Sequence, residues 1–262
     1  MKEQKVSKNT PSVLIACPMF SVWPNPNEWL NSFLIAMNEF IVRGWRVSTF
    51  FPYRRPIVQA ENEIANLAIT HGFDYILRMD EDVFGVQAGF VNKLIDADKE
   101  IISGVMFTAG FPYSLCAFNK KDKSKSLVDI YDKKELELSE VEGRGVQPCD
   151  MTGTPFTLIK TTIFEKILTP YYETVGSVAV DSIFFQKLLD AGVQPYVHMD
   201  VQLIHRHVSA WNRHYLYNAE ARAMLASKNI NKESNVYPIL VEQFGADGKL
   251  DPLMLKGCHI IE

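Results

Sequence analysis

The chain has 262 residues, 47% hydrophobic and 22% charged, an ordinary globular balance with room for one well-cored domain. Its formal charge of −4 and pI near 5.9 exclude a general attraction to polyanions, which needs a basic excess. The four cysteines, Cys17, Cys116, Cys149 and Cys258, lie far apart without a C-x-x-C pair, which excludes a zinc knuckle or a dense disulfide framework.

These cysteines read as reduced thiols. The polar stretch 1–12 has no apolar segment behind it, and no later run reaches the length of a bilayer span. The expectation is a soluble, cytoplasmic protein. In chain order, the β-branched run 13–17, closed by Pro18, predicts a buried first strand opening onto a loop. Residues 28–42 place Trp29, Leu30, Phe33, Leu34, Met37, Phe40 and Ile41 at helical spacing, with Gly44 as the stop. A strand over 45–51 follows, then a helix over 57–71 on Ile57, Ala60, Ile64, Leu67 and Ala68, ended by Gly72. A strand over 73–79, a helix over 87–97 and a strand over 101–105 complete the first hundred residues. Strands and helices that alternate this way predict an α/β fold with a parallel sheet covered on both faces.

From 113 to 148 the pattern breaks into a polar stretch with Lys120, Lys121, Lys123 and Lys125 and short alternating runs such as 127–131. It reads as an inserted hairpin or lid. A second block follows: a strand over 156–159, helices over 161–168 and 181–191, and a strand or strand pair over 194–203. The predicted domains are a catalytic unit over 1–208 and a C-terminal extension over 209–262, with one helix near 215–227.

The segment richest in chemistry is Phe73-Asp74-Tyr75-Ile76-Leu77-Arg78-Met79-Asp80-Glu81-Asp82, a strand that runs into three consecutive carboxylates. In an open α/β sheet, ligands bind beyond the carboxyl ends of the strands. Adjacent carboxylates repel and raise one another's pKa unless a cation or hydrogen-bond donors offset them. A hard divalent ion shared with substrate phosphates does this well. An exposed acidic turn capping the next helix explains the same residues without a ligand.

The order of motifs in the chain resembles that of the GT-A superfamily of nucleotide-sugar glycosyltransferases, in particular the small family-2-like enzymes of bacteria and bacteriophages. The residues that carry the resemblance are Gln59-Ala60-Glu61-Asn62, Asp80-Glu81-Asp82, Gly153-Thr154-Pro155-Phe156, Val180-Asp181-Ser182 and Leu203-Ile204-His205. It covers 13–207. The resemblance implies a Rossmann-like GT-A sheet flanked by helices, with an inserted hairpin or lid and a C-terminal extension. It also implies a metal-dependent transfer, inverting, from a nucleotide-sugar of the UDP type to a hydroxyl acceptor.

By the same resemblance, Asp82 and His205 would ligate Mn2+ or Mg2+, with His207 as the other histidine in reach. Asp80 and Glu81 would face the donor's ribose and nucleobase side, Pro18 and Asn62 the base, and Arg54 or Arg55 a phosphate. Gly153 and Thr154 would line the acceptor side, where a missing Cβ lets a ligand approach the backbone. Asp181 would take the acceptor proton as general base. Two departures from the pattern stand out: Val180 in place of an acidic residue, and Glu61 in place of an arginine.

Three other functions use the same elements. A dinucleotide oxidoreductase shares the alternation, but the first strand leads into Pro18-Met19-Phe20 and not G-x-G-x-x-G. A metal-dependent nucleotidyltransferase or phosphohydrolase would use the same acids. A non-catalytic nucleotide-sugar-binding module would need none of them intact. The acceptor is open between a glycan, a lipid-linked sugar, a protein side chain and a modified DNA base. Only the lysines of 120–125 hint at DNA, and the oligomeric state, a homo-oligomer included, is open.

Overall fold

The computed structural model describes residues 10–19, 26–107, 115–132, 137–176 and 178–205. Two compact units divide the chain, Met1–Arg206 and His207–Glu262. The second lies outside the described residues, as do His207, Cys258 and the predicted helix near 215–227.

The first half alternates as expected: β1 (Ser12–Ala16), α1 (Pro26–Val42), β2 (Arg46–Phe50), α2 (Ile57–Thr70), β3 (Tyr75–Met79), β4 (Val83–Phe84), α3 (Phe90–Asp96) and β5 (Ile101–Val105). The second half holds β6 (Ala117–Lys120), α4 (Leu127–Asp132), β7 (Leu138–Glu140), β8 (Val146–Pro148), β9 (Met151–Thr152) and β10 (Phe156–Lys160). A 3-10 turn at Thr161–Glu165, α5 (Val180–Asp190), β11 (Tyr196–Gln202) and β12 (Ile204–His205) close it.

Seven strands form the main sheet in the order β2-β1-β3-β10-β5-β11-β8. Parallel pairing joins β2, β1 and β3, and also β5 and β11; β10 is antiparallel to β3 and β5, and β8 to β11. This is the α/β class expected, a mixed, mostly parallel Rossmann-like sheet flanked by helices. Side chains alternate along each strand with period two, so one strand feeds two cores. Val13, Ile15, Leu77, Met79 and Leu158 pack with Trp29, Phe33 and Phe40 of α1 and with Val91 and Leu94 of α3. Leu14, Ala16, Ile76, Ile101 and Ile159 pack on the other face with Ile64 and Ala68 of α2 and Phe184 and Leu188 of α5. Among the described residues, no helix is long and apolar enough to cross a membrane.

Three predicted elements differ in form. The run 127–131 is a helix, because Ser126 and Gln186 accept the N–H groups of Val128 and Leu127, at 3.0 and 2.8 Å, and start a turn that buries Leu127 and Ile130 together. The helix over 87–97 begins three residues late, since Gly89 takes φ 93 at its N-cap. The helix over 161–168 is only the five-residue 3-10 turn. Within 113–148, β6 and β7 pair antiparallel across the intervening α4 and not as a simple hairpin; β9, just beyond, is the third strand of that small sheet, while β8 closes the edge of the main one.

Candidate active site

The antiparallel strand β10 explains why residues distant in sequence meet. Its first residue, Phe156, lies opposite Met79, the last residue of β3. The segment entering β10 therefore stands beside the segment leaving β3: the Asp80 N–H donates to the Pro155 carbonyl at 3.0 Å. Thr154 and Asp80 are thus neighbours at the carboxyl edge of the parallel strands, the edge at which open α/β sheets bind ligands.

A buried guanidinium ties this edge together. Arg78, 5% exposed, donates through Nε and one terminal nitrogen to Glu61 Oε1 of α2, at 3.0 and 2.6 Å. The other terminal nitrogen donates to the Thr154 carbonyl at 2.6 Å and to the Asp80 carboxylate. Burial works against the arginine's charge, but the fields of Asp80 and Glu61 together outweigh it and raise its pKa further, so it stays ionised. Burial raises the carboxyl of Glu61, 3% exposed, and Arg78 limits that rise.

Asp181 sits in the first turn of α5, where Thr154 Oγ1 donates to its carboxylate at 3.4 Å. Burial pushes its pKa from 3.8 up to about 7; Arg78 opposes the rise, Asp80 and Glu61 add to it, and the Thr154 hydroxyl opposes it. The residue as a whole is partly exposed at the start of α5. A carboxyl whose proton affinity lies near neutrality has the properties of a general base near neutral pH.

Helix α1 fixes the acidic turn from the other side. Trp29 Nε1 donates to the Asp80 carbonyl at 3.0 Å, and Ser32 Oγ accepts from Gly85 and Val86 at 3.0 and 3.3 Å. Glu39 accepts from Gly89 and Asn92 and so supplies the first turn of α3 with the acceptor that its own N-cap lacks. Asp82 and Glu81 are half-buried within this clamped segment. The short ladder of β4 and β12 then sets His205 opposite Val83, the residue after Asp82. The side chain of His205 lies outside what is described. The ladder brings the backbone of residue 205 beside the segment that follows Asp82, and a carboxylate completed by phosphate oxygens is a donor set that suits Mn2+ or Mg2+. Among the described residues, no group of three or more His, Cys, Asp or Glu side chains is placed to hold a metal.

The remaining predicted residues are distributed as follows. Pro18 is buried two residues past the end of β1, at the same sheet edge. The amide of Asn62 donates to the Val58 and Tyr172 carbonyls, both at 2.7 Å, and accepts from the Tyr172 N–H, so it pins the 172 loop to α2. Arg55 is exposed and pairs with Glu63 at 3.7 Å. At Gly153 an added Cβ would meet Cys116 Sγ and Met106 Cε, each 2.9 Å away, so these two side-chain ends would have to shift to admit it. Of the lysines in 120–125, Lys123 pairs with Asp150 and Lys125 with Glu137, both at 2.5 Å, and Lys120 Nζ donates to the Lys125 carbonyl at 2.8 Å. They border a separate polar cleft of about 450 Å3 that shares no residue with the carboxylate site. Cys17, Cys116 and Cys149 are free thiols, and burial holds all three pKa values above the ordinary range.

Arg78 was not among the residues singled out by sequence, although two signals pointed to it. An arginine interrupts the apolar strand Tyr75-Ile76-Leu77-Arg78-Met79, and Glu61 lies on the inward stripe of α2 with Ala65 and Ala68. Opposite charges at inward positions of two neighbouring elements are a buried ion pair.

No family model matches the chain, and no curated protein does. Among solved structures, the protein A197 from STIV is 16% identical over 77% of this chain and 97% of its own, with a TM-score of 0.43. A mutant Drosophila β1,4-galactosyltransferase 7, solved with manganese, UDP-Gal and xylobiose, is 14% identical over 79% of either chain, with a TM-score of 0.43. GalNAc-T7, solved with UDP, GalNAc and Mn2+, is 12% identical with a TM-score of 0.44; the match covers 95% of this chain but 57% of that one.

Proposed function

We propose that the protein is a metal-dependent glycosyltransferase of the cytoplasm that moves a sugar from a nucleotide-sugar, of the UDP type, to a hydroxyl acceptor with inversion. The observation that carries the reading is that Asp80 and the Thr154 carbonyl meet on one buried guanidinium at the carboxyl edge of the parallel strands, and that the Thr154 hydroxyl links Asp181 to the same cluster. The ordered motifs of the sequence supply the second support.

Asp80 and Glu81 are assigned to the donor's ribose side, and Thr154 to the acceptor side together with Asp181. Asp82 and His205 would hold Mn2+ or Mg2+, which supplies Lewis-acid neutralisation for a departing diphosphate. Asp181 takes the proton of the acceptor hydroxyl as its oxygen bonds to the anomeric carbon. The bond from that carbon to the phosphate oxygen breaks, its electron pair leaves with the nucleoside diphosphate, and attack opposite that bond inverts the centre. Asp181 suits this role because its proton affinity lies near neutrality, where a base is both ionised and strong enough to act. With Lys123 and Lys125 committed to carboxylates, a sugar hydroxyl is favoured as acceptor over a base in DNA.

The deciding experiment is calorimetric titration of UDP and its sugars with Mn2+ and with chelator, on wild type, Asp82→Ala and His205→Ala. Binding that needs metal and is lost in both variants supports the reading. Failure of uridine, guanosine and cytidine nucleotides alike to bind in the presence of metal would sink it.

A further inference from the structure

Arg78 is the one arginine among the described residues with its charge buried inside the sheet, and nearly all of its bonding capacity goes to protein. Four of its N–H groups are spoken for, two by Glu61, one by Asp80 and one by the Thr154 carbonyl. A guanidinium committed in this way has little left to offer a phosphate. Stability alone does not require the pair either, since buried ion pairs exchange for apolar side chains of similar volume at little or no cost.

The fork joins three elements. Glu61 on α2 anchors it, Asp80 lies at the end of β3, and Thr154 lies on the segment that enters β10. Thr154 in turn touches the Asp181 carboxylate through its hydroxyl. We propose that Arg78 is a positioning residue: its planar fork fixes the donor-side carboxylate Asp80 against the Thr154 carbonyl, and through Thr154 it sets where the acceptor-side carboxylate Asp181 stands. Glu61 is the anchor that holds the fork in its plane, and neither residue contacts substrate. The assignment deepens the proposed reaction and rests on it for the names of the two sides. The guanidinium also faces Asp181 across the site, together with Asp80 and Glu61, and it is the group that most lowers the proton affinity there.

The test uses the full chain and two variants, the apolar exchange Glu61→Met/Arg78→Met and the conservative Arg78→Lys. Thermal unfolding first establishes which variants fold; if the double exchange does not, Arg78→Lys decides. Without any ligand, the Asp181 carboxyl is titrated by carbon NMR in each folded variant. A second assay measures turnover of a UDP-sugar. The expected results are an upward move of the Asp181 midpoint, larger in the double exchange than in Arg78→Lys, and a fall in kcat of roughly a hundredfold, the effect of a misplacement near 1 Å. Arg78→Lys, with its charge kept but its fork lost, should recover part of the titration and little of the rate. A folded variant with wild-type kcat and an unmoved Asp181 midpoint would overturn the assignment and leave a purely structural pair. If wild type itself transfers nothing, the glycosyltransferase reading fails, and the ligand-free titration still decides whether Arg78 governs Asp181.

Discussion

Replacing Asp181 by asparagine should make the protein more stable above neutral pH while removing the activity proposed for it. The folded-state pKa is about 7 against an ordinary value of 3.8, a difference of roughly three units. Below the ordinary value both folded and unfolded chains hold the proton, and the position contributes no pH dependence. Between the two values the folded chain retains a proton that the unfolded chain has released, so stability falls by about 1.4 kcal/mol per pH unit. Above the folded value both states are ionised and the loss levels off. The full interval corresponds to roughly 4 kcal/mol, reduced to about 2–3 kcal/mol because the residue as a whole is partly exposed. Urea unfolding at steps from pH 4.5 to 8.5 checks this directly. Wild type should lose stability across that range, and Asp181→Asn should lose less by that amount. Equal losses in both proteins would refute the claim that burial of this carboxyl sets its affinity, whatever the protein's function. Turnover in Asp181→Asn should drop by about 10^2 to 10^4, the span of a lost general base.

Further outcomes follow from the same geometry. In wild type, kcat/KM for transfer should fall as pH drops below about 7, because Asp181 must be ionised to accept a proton; a profile flat down to pH 5 would remove it from that role. Gly153→Ala should cost about 1–3 kcal/mol by overpacking against Cys116 and Met106. Adding Cys116→Ala should return part of that loss, which a double-mutant unfolding cycle would detect as non-additivity. Asn62→Ala should lower stability by about 1–3 kcal/mol by orphaning the carbonyl and N–H of Tyr172, with nucleotide affinity measured in parallel. Unchanged stability with weakened affinity would instead return Asn62 to the nucleobase.

The sheet and its helices were legible because burial writes period into sequence. Val13 and Ile15 face one core and Leu14 and Ala16 the other, so β1 reads as a continuous apolar run, and α2 repeats its small residues at helical spacing. Local pattern failed where a distant residue supplies the deciding bond. Leu127 begins α4 because Gln186, far along the chain, accepts its N–H, and α3 is capped by Glu39 from α1. Nothing within either segment encodes those acceptors.

The carboxylates of the site were equally visible, as types in an order, but not their relation to one another. That relation comes from β10 running backwards between β3 and β5, a topological fact that no motif states. Reversal brings Thr154 to the end of β3, and only then does Arg78 have a carbonyl to reach and Asp181 a hydroxyl to meet. The glutamate at position 61, a departure from the expected pattern when read alone, becomes intelligible with its partner: an inward acid on α2 matched by an inward base on β3. A charge that looks misplaced in one element is therefore best sought together with its counter-charge on the element packed against it, because burial makes either one untenable alone.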